Sequence, residues 1–148
     1  LYGDMPFVTV ASVNQLLVEH ESKKNTLTLM TVTVPDFSDW RAPMNQFGRV
    51  VRNSVEQIER IVEAKDATPE ELQIKELMSC FFAFRASWLW QALKKLNNKN
   101  VQKEYYLVDT VGLAASAHEP MSSISIDSKE ALGINTAEDL ITLEAMNI

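Results

Sequence analysis

Residues 25–34, NTLTLMTVTV, constrain the fold most. Their β-branched side chains favour a strand, and Pro35 ends it, since proline has no N–H to give a ladder. Side chains alternate along a strand, so Leu27, Leu29, Thr31 and Thr33 share one face, and Thr28, Met30, Val32 and Val34 the other. Apolar residues stand on both faces, so the strand is expected to be covered on both sides. Residues 77–84, LMSCFFAF, form a mostly apolar run and read as a second, central, doubly buried strand.

Helical patterns stand between such strands. Residues 9–21 read as a helix, with Thr9 as its cap and Val10, Val13, Leu16 and Leu17 at helical spacing. Residues 36–46 hold Asp, Ser, Pro and Asn without a period and read as a loop. Residues 48–52 and 58–63 are two short strands, joined by residues 53–57 as a hairpin. Thr68-Pro69-Glu70-Glu71 predicts the start of a short helix ending near Lys75, with a capping Thr, Pro at the first position and Glu three residues after the cap. Residues 86–96 read as an amphipathic helix with Leu89, Leu93 and Leu96 on one side; Trp88 and Trp90 cannot both face the same way. A turn at 97–100, a compact aromatic stretch at 104–107, a helix at 109–117 and a strand at 121–126 follow. Gly133 opens a tight passage to Asn135, and Thr136 caps a last helix from 137 to about 146. The alternation predicts an α/β fold around a sheet. The hairpin breaks strict alternation, so the sheet is expected to be mixed.

The chain has 148 residues, suited to one domain with a real core. Its net charge is −6 without a dense basic block, which argues against a nucleic-acid surface. A local basic pocket for one phosphate compound remains compatible. No apolar run is long enough to span a bilayer, so no membrane partner is expected. The lone Cys80 excludes an internal disulfide framework and a Cys-rich zinc site, and fits a reducing compartment. No Ser-His-Asp or Cys-His arrangement emerges. His20 on a polar helix face and His118 in a turn read as solvated residues. Cys80, inside the most apolar strand, reads as inert core, and the aromatic residues around 81–90 as packing.

The remaining polar candidates sit at breaks in the pattern. Leu1-Tyr2-Gly3-Asp4-Met5-Pro6 reads as the end of a buried strand, with Gly3 allowing a sharp turn or a close ligand. Asp4 would then lie at a sheet edge, where it either caps a turn or holds a metal that holds a phosphate. The opening Leu-Tyr, with no element before it, looks like a cut inside a larger fold. Gly48 is either a strand-start glycine or a point of close approach. Glu63 is either a solvated strand end or a ligand contact, and Asn135 either a turn residue or a donor to a ligand.

Taken in order, LYGDMP, FGRVVR, IVEAKDAT, the apolar strand after KEL, NNKNVQKEYYLVDTV and LGIN resemble the sugar-nucleotide pyrophosphorylases. Among these they look most like the uridyltransferase domain of the bacterial bifunctional N-acetylglucosamine-1-phosphate uridyltransferase/acetyltransferases. IVEAKDAT followed by NN-x-N-x-Q-x-EYYL is the specific part. The resemblance implies a Rossmann-like nucleotidyltransferase fold, of which residues 1–148 are the sugar-binding half, without the N-terminal nucleotide-binding half. It implies transfer between UTP and N-acetylglucosamine 1-phosphate, giving UDP-N-acetylglucosamine and pyrophosphate for cell-wall peptidoglycan and lipopolysaccharide, in the cytoplasm. By the same resemblance, Asp4 and Asn135 hold Mg2+, Tyr2 and Gly3 line the nucleotide-sugar site, Gly48 and Glu63 contact the sugar, and Lys65 is a nearby phosphate or structural partner. The implied partners are the nucleotide-sugar, the sugar 1-phosphate, the missing N-terminal half and a second copy of the chain, since a sheet cut open exposes strand edges.

The departures from the family pattern are specific. The Gly-rich triphosphate loop, its basic residues and the uracil-reading segment are not in this sequence. Nor is the acetyltransferase β-helix. Met78-Ser79-Cys80 stands where the family reads Asn-Thr/Ser-Gly, and Val108 where Thr follows EYYL. Met78 thus replaces a sugar-contacting amide, and Cys80 a glycine that allows close approach. These changes leave two alternatives: a non-catalytic or engineered homologue acting as a binding or assembly module, and a pyrophosphorylase for another sugar 1-phosphate. The chain alone is expected to be inactive.

Overall fold

The computed structural model describes residues 4–134, 136, 140, 141, 143 and 144. Thr9 caps the first helix, α1 (Val10–Ser22), its Oγ1 accepting the Ser12 N–H at 3.1 Å. This satisfies one of the amide donors that a helix start leaves free. The strand β1 (Leu27–Thr33) follows, and all of its residues but Thr33 are buried.

The hairpin forms as its sequence predicts, from β2 (Arg49–Arg52) and β3 (Ile58–Val62), paired antiparallel. Asn53 closes it, its Oδ1 accepting the Val55 and Gln57 N–H groups at 3.1 and 2.9 Å. The chain then runs into β4 (Glu76–Phe84), α2 (Ala86–Ala92), α3 (Asp109–Ser116) and β5 (Met121–Ser125). The five-stranded sheet has the order β3-β2-β4-β1-β5, so β4 is central. Strand β1 pairs antiparallel with β4 and parallel with β5, which makes the sheet mixed. Among the described residues no helix is long and apolar enough to cross a membrane.

Both faces of the sheet are covered. Met30, Val32, Val34, Leu77 and Phe81 pack with Leu16 of α1 on one side. Leu27, Leu29, Val50, Ile61 and Met78 pack with Val111 and Ala114 of α3 on the other. Leu27, Leu29, Met30 and Leu77 are fully buried, and each such side chain is worth about 1.5–3 kcal/mol of transfer free energy.

Several local expectations are corrected. The capping box at Thr68 forms in full, the Thr68 N–H donating to Glu71 Oε2 at 2.8 Å and the Glu71 N–H to Thr68 Oγ1 at 3.3 Å. The helix it starts is nevertheless only the 3-10 turn Glu71–Gln73, because Ile74 is already extended and leads into β4. Residues 36–46, expected to be a loop, contain the 3-10 segment Asp39–Gln46. Asp36 organises its start, its Oδ1 accepting from the Ser38 N–H, Ser38 Oγ and Arg41. Those bonds hold its carboxyl well below the usual range. The helix expected over 86–96 ends at Ala92 and closes with a 3-10 turn, Leu93–Lys95. Trp88 stacks on Phe84 while Trp90 stays exposed, so the two do face differently. His20 is half-buried rather than solvated, with Nδ1 3.0 Å from Thr28 Oγ1, because α1 lies against β1 there. Burial pushes its pKa down, and Arg85 adds to that.

Cys80 is the largest correction. Leu29 pairs with Phe82 and Thr31 with Met78, so Ser79, Cys80 and Phe81 together oppose Met30. This bulge turns Cys80 to φ 64°, in the left-handed region, and brings its side chain out of the core to an exposed position. Bulges re-aim side chains in this way and gather near functional sites. Ser79 stays buried and donates to the Met30 carbonyl at 2.9 Å.

Candidate functional site

The bulge opens onto a cavity of about 460 Å3 at the end of the sheet. Asp4, Gly48, Glu63, Met78, Cys80 and Gly133 all line it, from segments far apart in sequence. Of the residues singled out by sequence, Asp4, Gly48 and Glu63 therefore come together. Tyr2, Gly3 and Asn135 lie outside the described residues, as does most of the last helix, although the Leu140 N–H reaches the Thr136 carbonyl at 3.3 Å.

Asp4 is exposed at the cavity, while Met5 beside it is anchored in the core. The Asp4 carbonyl accepts the Ile134 N–H at 2.7 Å, which ties the LYGD and LGIN segments together. Gly48 begins the hairpin, and its carbonyl accepts the Met78 N–H at 2.9 Å, joining β2 to β4. A Cβ built on Gly48 would stand 2.9 Å from Ile61 Cγ2, 3.5 Å from the Val62 carbonyl oxygen and 3.6 Å from Glu63 Oε1. Glycine is thus required by packing, and its open Cα face lies beside the Glu63 carboxylate.

Glu63, half-buried at the exit of β3, also borders a second cleft of about 500 Å3 between β3 and α3. Asp66, Asp109, Tyr106 and Asn100 line that cleft. Burial pushes the Glu63 carboxyl up, the negative Asp66 and Asp109 push it further, and Lys65 opposes them. Among the described residues no hydrogen-bond donor meets this carboxylate, which leaves its lone pairs available to ligand hydroxyls. Lys65 instead bonds Gln102 Oε1.

Cys80 is open to solvent on its cavity side and packed on the others. Burial, then Glu63 and Asp4, push its thiol up to about 11. It is therefore a neutral thiol near neutral pH and a poor nucleophile. Met78 is buried and lines the same cavity. Val108 is buried against the α3 side of the core.

Sequence reasoning missed one wall. Trp40, Pro43 and Gln46, from the segment read as a loop, and Phe47 directly after it line the cavity together with Met78 and Cys80 of β4. The FGRVVR stretch that follows was the available signal, since its Phe47 stands directly before Gly48.

For a metal, the described residues of the cavity offer two carboxylates, the exposed Asp4 and the half-buried Glu63, and among the described residues no group of three or more His, Cys, Asp or Glu side chains could hold an ion. That donor chemistry fits a hard cation that keeps most of its waters and completes its shell with phosphate oxygens.

No protein-family model matches the chain. It is 36% identical over 146 residues to the bifunctional protein GlmU of Brevibacillus brevis, covering 98% of this chain and 30% of that protein. The GlmU of Shouchella clausii is also 36% identical, over 98% of this chain and 31% of its own length. That of Fervidobacterium nodosum is 37% identical over 99% and 30%. Almost all of this chain is therefore similar to a stretch of bifunctional GlmU proteins, and it spans about 30% of the length of these curated relatives.

Proposed function

We propose that this chain is the sugar-binding half of a nucleotidyltransferase domain that forms UDP-N-acetylglucosamine and pyrophosphate from UTP and N-acetylglucosamine 1-phosphate. The observation that carries this reading is the meeting of Asp4, Gly48 and Glu63 on one cavity, with Gly133 beside them. The similarity to GlmU proteins supports it. In the reaction, an oxygen of the sugar phosphate attacks the α-phosphorus of UTP, and the bond from that phosphorus to pyrophosphate breaks. No protein nucleophile is required, so the chain's part is positioning and charge.

Each residue then has a role. Glu63 accepts hydrogen bonds from sugar hydroxyls. Gly48 lets the sugar approach the start of the hairpin. Asp4 and Asn135 hold Mg2+, and Tyr2 and Gly3 line the nucleotide-sugar site. Bound Mg2+ supplies neutralisation of phosphate charge. The Gly-rich loop and the basic residues that grip the triphosphate are not among residues 1–148, so the proposal assigns this stretch the holding of sugar and product rather than turnover by itself. A cytoplasmic setting and self-association belong to the same proposal; the exposed Val10 and Val18 of α1, 77% and 66% accessible, supply apolar surface for the latter.

A second reading has its own observation. Met78 is 2% exposed, and its thioether occupies the wall where the family pattern has an amide. That favours a non-catalytic binding module, or a pyrophosphorylase for a sugar 1-phosphate needing fewer polar contacts. Calorimetric titration of UDP-N-acetylglucosamine with Mg2+ separates the readings. Saturable, Mg2+-dependent binding that Asp4→Ala, Glu63→Ala and Asn135→Ala each weaken is the expected result. A folded chain that gives no heat at millimolar ligand, but binds after Met78→Asn and Cys80→Gly, favours the second.

A further inference from the structure

Arg49 is fully buried, with 0% of its surface exposed. Among the described residues no carboxylate lies within ion-pair distance of it. Its Nη1 donates to the Phe47 carbonyl, and its Nη2 to the Asn45 carbonyl at 3.1 Å, to Asn45 Oδ1 at 2.8 Å and to the Leu72 carbonyl at 3.5 Å. Its Nε has no partner among the described residues. Its Cζ stands 4.9 Å from the centre of the Phe37 ring, and Lys75 Nζ stands 3.9 Å from the same centre. Burial pushes the guanidinium pKa down.

A buried cation without a counter-ion is costly, and an apolar side chain of similar volume would fill the space without that cost. What the guanidinium does is specific. It grips both ends of residues 37–47, stacking on Phe37 and bonding Asn45 and Phe47. Between those ends lie Trp40, Pro43 and Gln46, which with Phe47 line the cavity. Gly48 follows immediately. Nothing else among the described polar contacts ties Asn45 or Phe47 to β2.

We infer that Arg49 is a positioning residue of the candidate site: its buried guanidinium latches the strap 37–47 to β2 and so sets the wall of the sugar cavity. The inference rests on the proposed function for what the cavity binds, but the latch itself is a property of the chain alone. Arg49 is fully buried and is not among the residues that line the cavity. It acts through Asn45 and Phe47, whose placement its planar fork determines, and a lysine has no such fork.

The test is amide hydrogen exchange on the whole chain, comparing residues 37–47 with β1, in wild type, Arg49→Met, Arg49→Lys and Asn45→Ala. Exchange of 37–47 about tenfold faster in both Arg49 variants, with β1 unchanged, is the expected result, since local opening then separates from global unfolding. Asn45 is exposed, so Asn45→Ala keeps the fold and is expected to show a smaller rise in the same segment. If Arg49→Met does not fold, Asn45→Ala decides. Exchange of 37–47 that is unchanged, or that rises only in step with β1, overturns the latch. Titration of UDP-N-acetylglucosamine with Mg2+ tests its consequence. A wild type that binds and an Arg49→Lys variant that binds equally, with its strap open, overturns the positioning role. A wild type that does not bind sinks the proposed function and leaves the exchange result standing by itself.

Discussion

Replacing Cys80 by glycine and by alanine isolates the strain in the central strand. At φ 64° a residue with a Cβ sits in the left-handed region, which costs about 1–2 kcal/mol relative to a right-handed conformation. Alanine keeps that cost and glycine does not. Glycine in turn loses more chain freedom on folding, by about 0.5–1 kcal/mol. The difference leaves Cys80→Gly about 0–1.5 kcal/mol more stable than Cys80→Ala, with a midpoint of about 0.75 kcal/mol, the reverse of the order in an ordinary strand. For a chain of 148 residues that middle value corresponds to roughly 1.5–3 °C in Tm. Both variants remove the thiol from the same exposed position, so loss of its contacts cancels in the comparison. Urea unfolding with a common m-value provides the assay. If alanine exceeds glycine in urea midpoint, the left-handed turn at Cys80 is not strained as argued.

Two further substitutions probe the site's walls. Gly48→Ala drives a methyl to 2.9 Å from Ile61 Cγ2, and overpacking of this kind costs about 1–3 kcal/mol; an unchanged urea midpoint would contradict the tight fit. Glu63→Gln separates stability from binding. The folded carboxyl is pushed up by burial, Asp66 and Asp109, so between its ordinary 4.5 and its raised value the native state holds more proton than the unfolded one. Stability therefore falls as pH rises through that window, and the loss persists above it. Glu63→Gln is expected to flatten this slope and to raise the midpoint near neutral pH, while weakening binding of UDP-N-acetylglucosamine; a slope equal to wild type would exclude Glu63 as its source.

Local chemistry with one dominant cause could be read from the sequence. Thr9 capping α1, the two covered faces of β1, the Asn53 hairpin and the reciprocal bonds of Thr68 with Glu71 each follow from residues close together in the chain. Asp4, Gly48 and Glu63 were marked by breaks in pattern, and the fold brings them to one cavity. What could not be read depends on pairing between distant segments. LMSCFFAF looks like one uninterrupted strand, and only its register against β1 forces Ser79, Cys80 and Phe81 opposite Met30. Arg49 falls in the strand expected over 48–52 with no role assigned to it, and only the return of residues 37–47 over β2 buries it. The strap itself has no apolar period because its order comes from Asp36 and Arg49 rather than from a helical face.

Mn2+ titration of the isotopically labelled chain, with UDP-N-acetylglucosamine present and amide signals followed by NMR, tests the central claim most directly. The paramagnetic ion replaces Mg2+ at the same oxygen donors and broadens signals around it. The account predicts ligand-dependent broadening centred on Asp4, Met5 and Ile134, with ligand-induced shifts at Gly48 and Glu63, and loss of the broadening in Asp4→Ala. Broadening centred instead on the Asp66 and Asp109 cleft, or indifferent to Asp4→Ala, would contradict it.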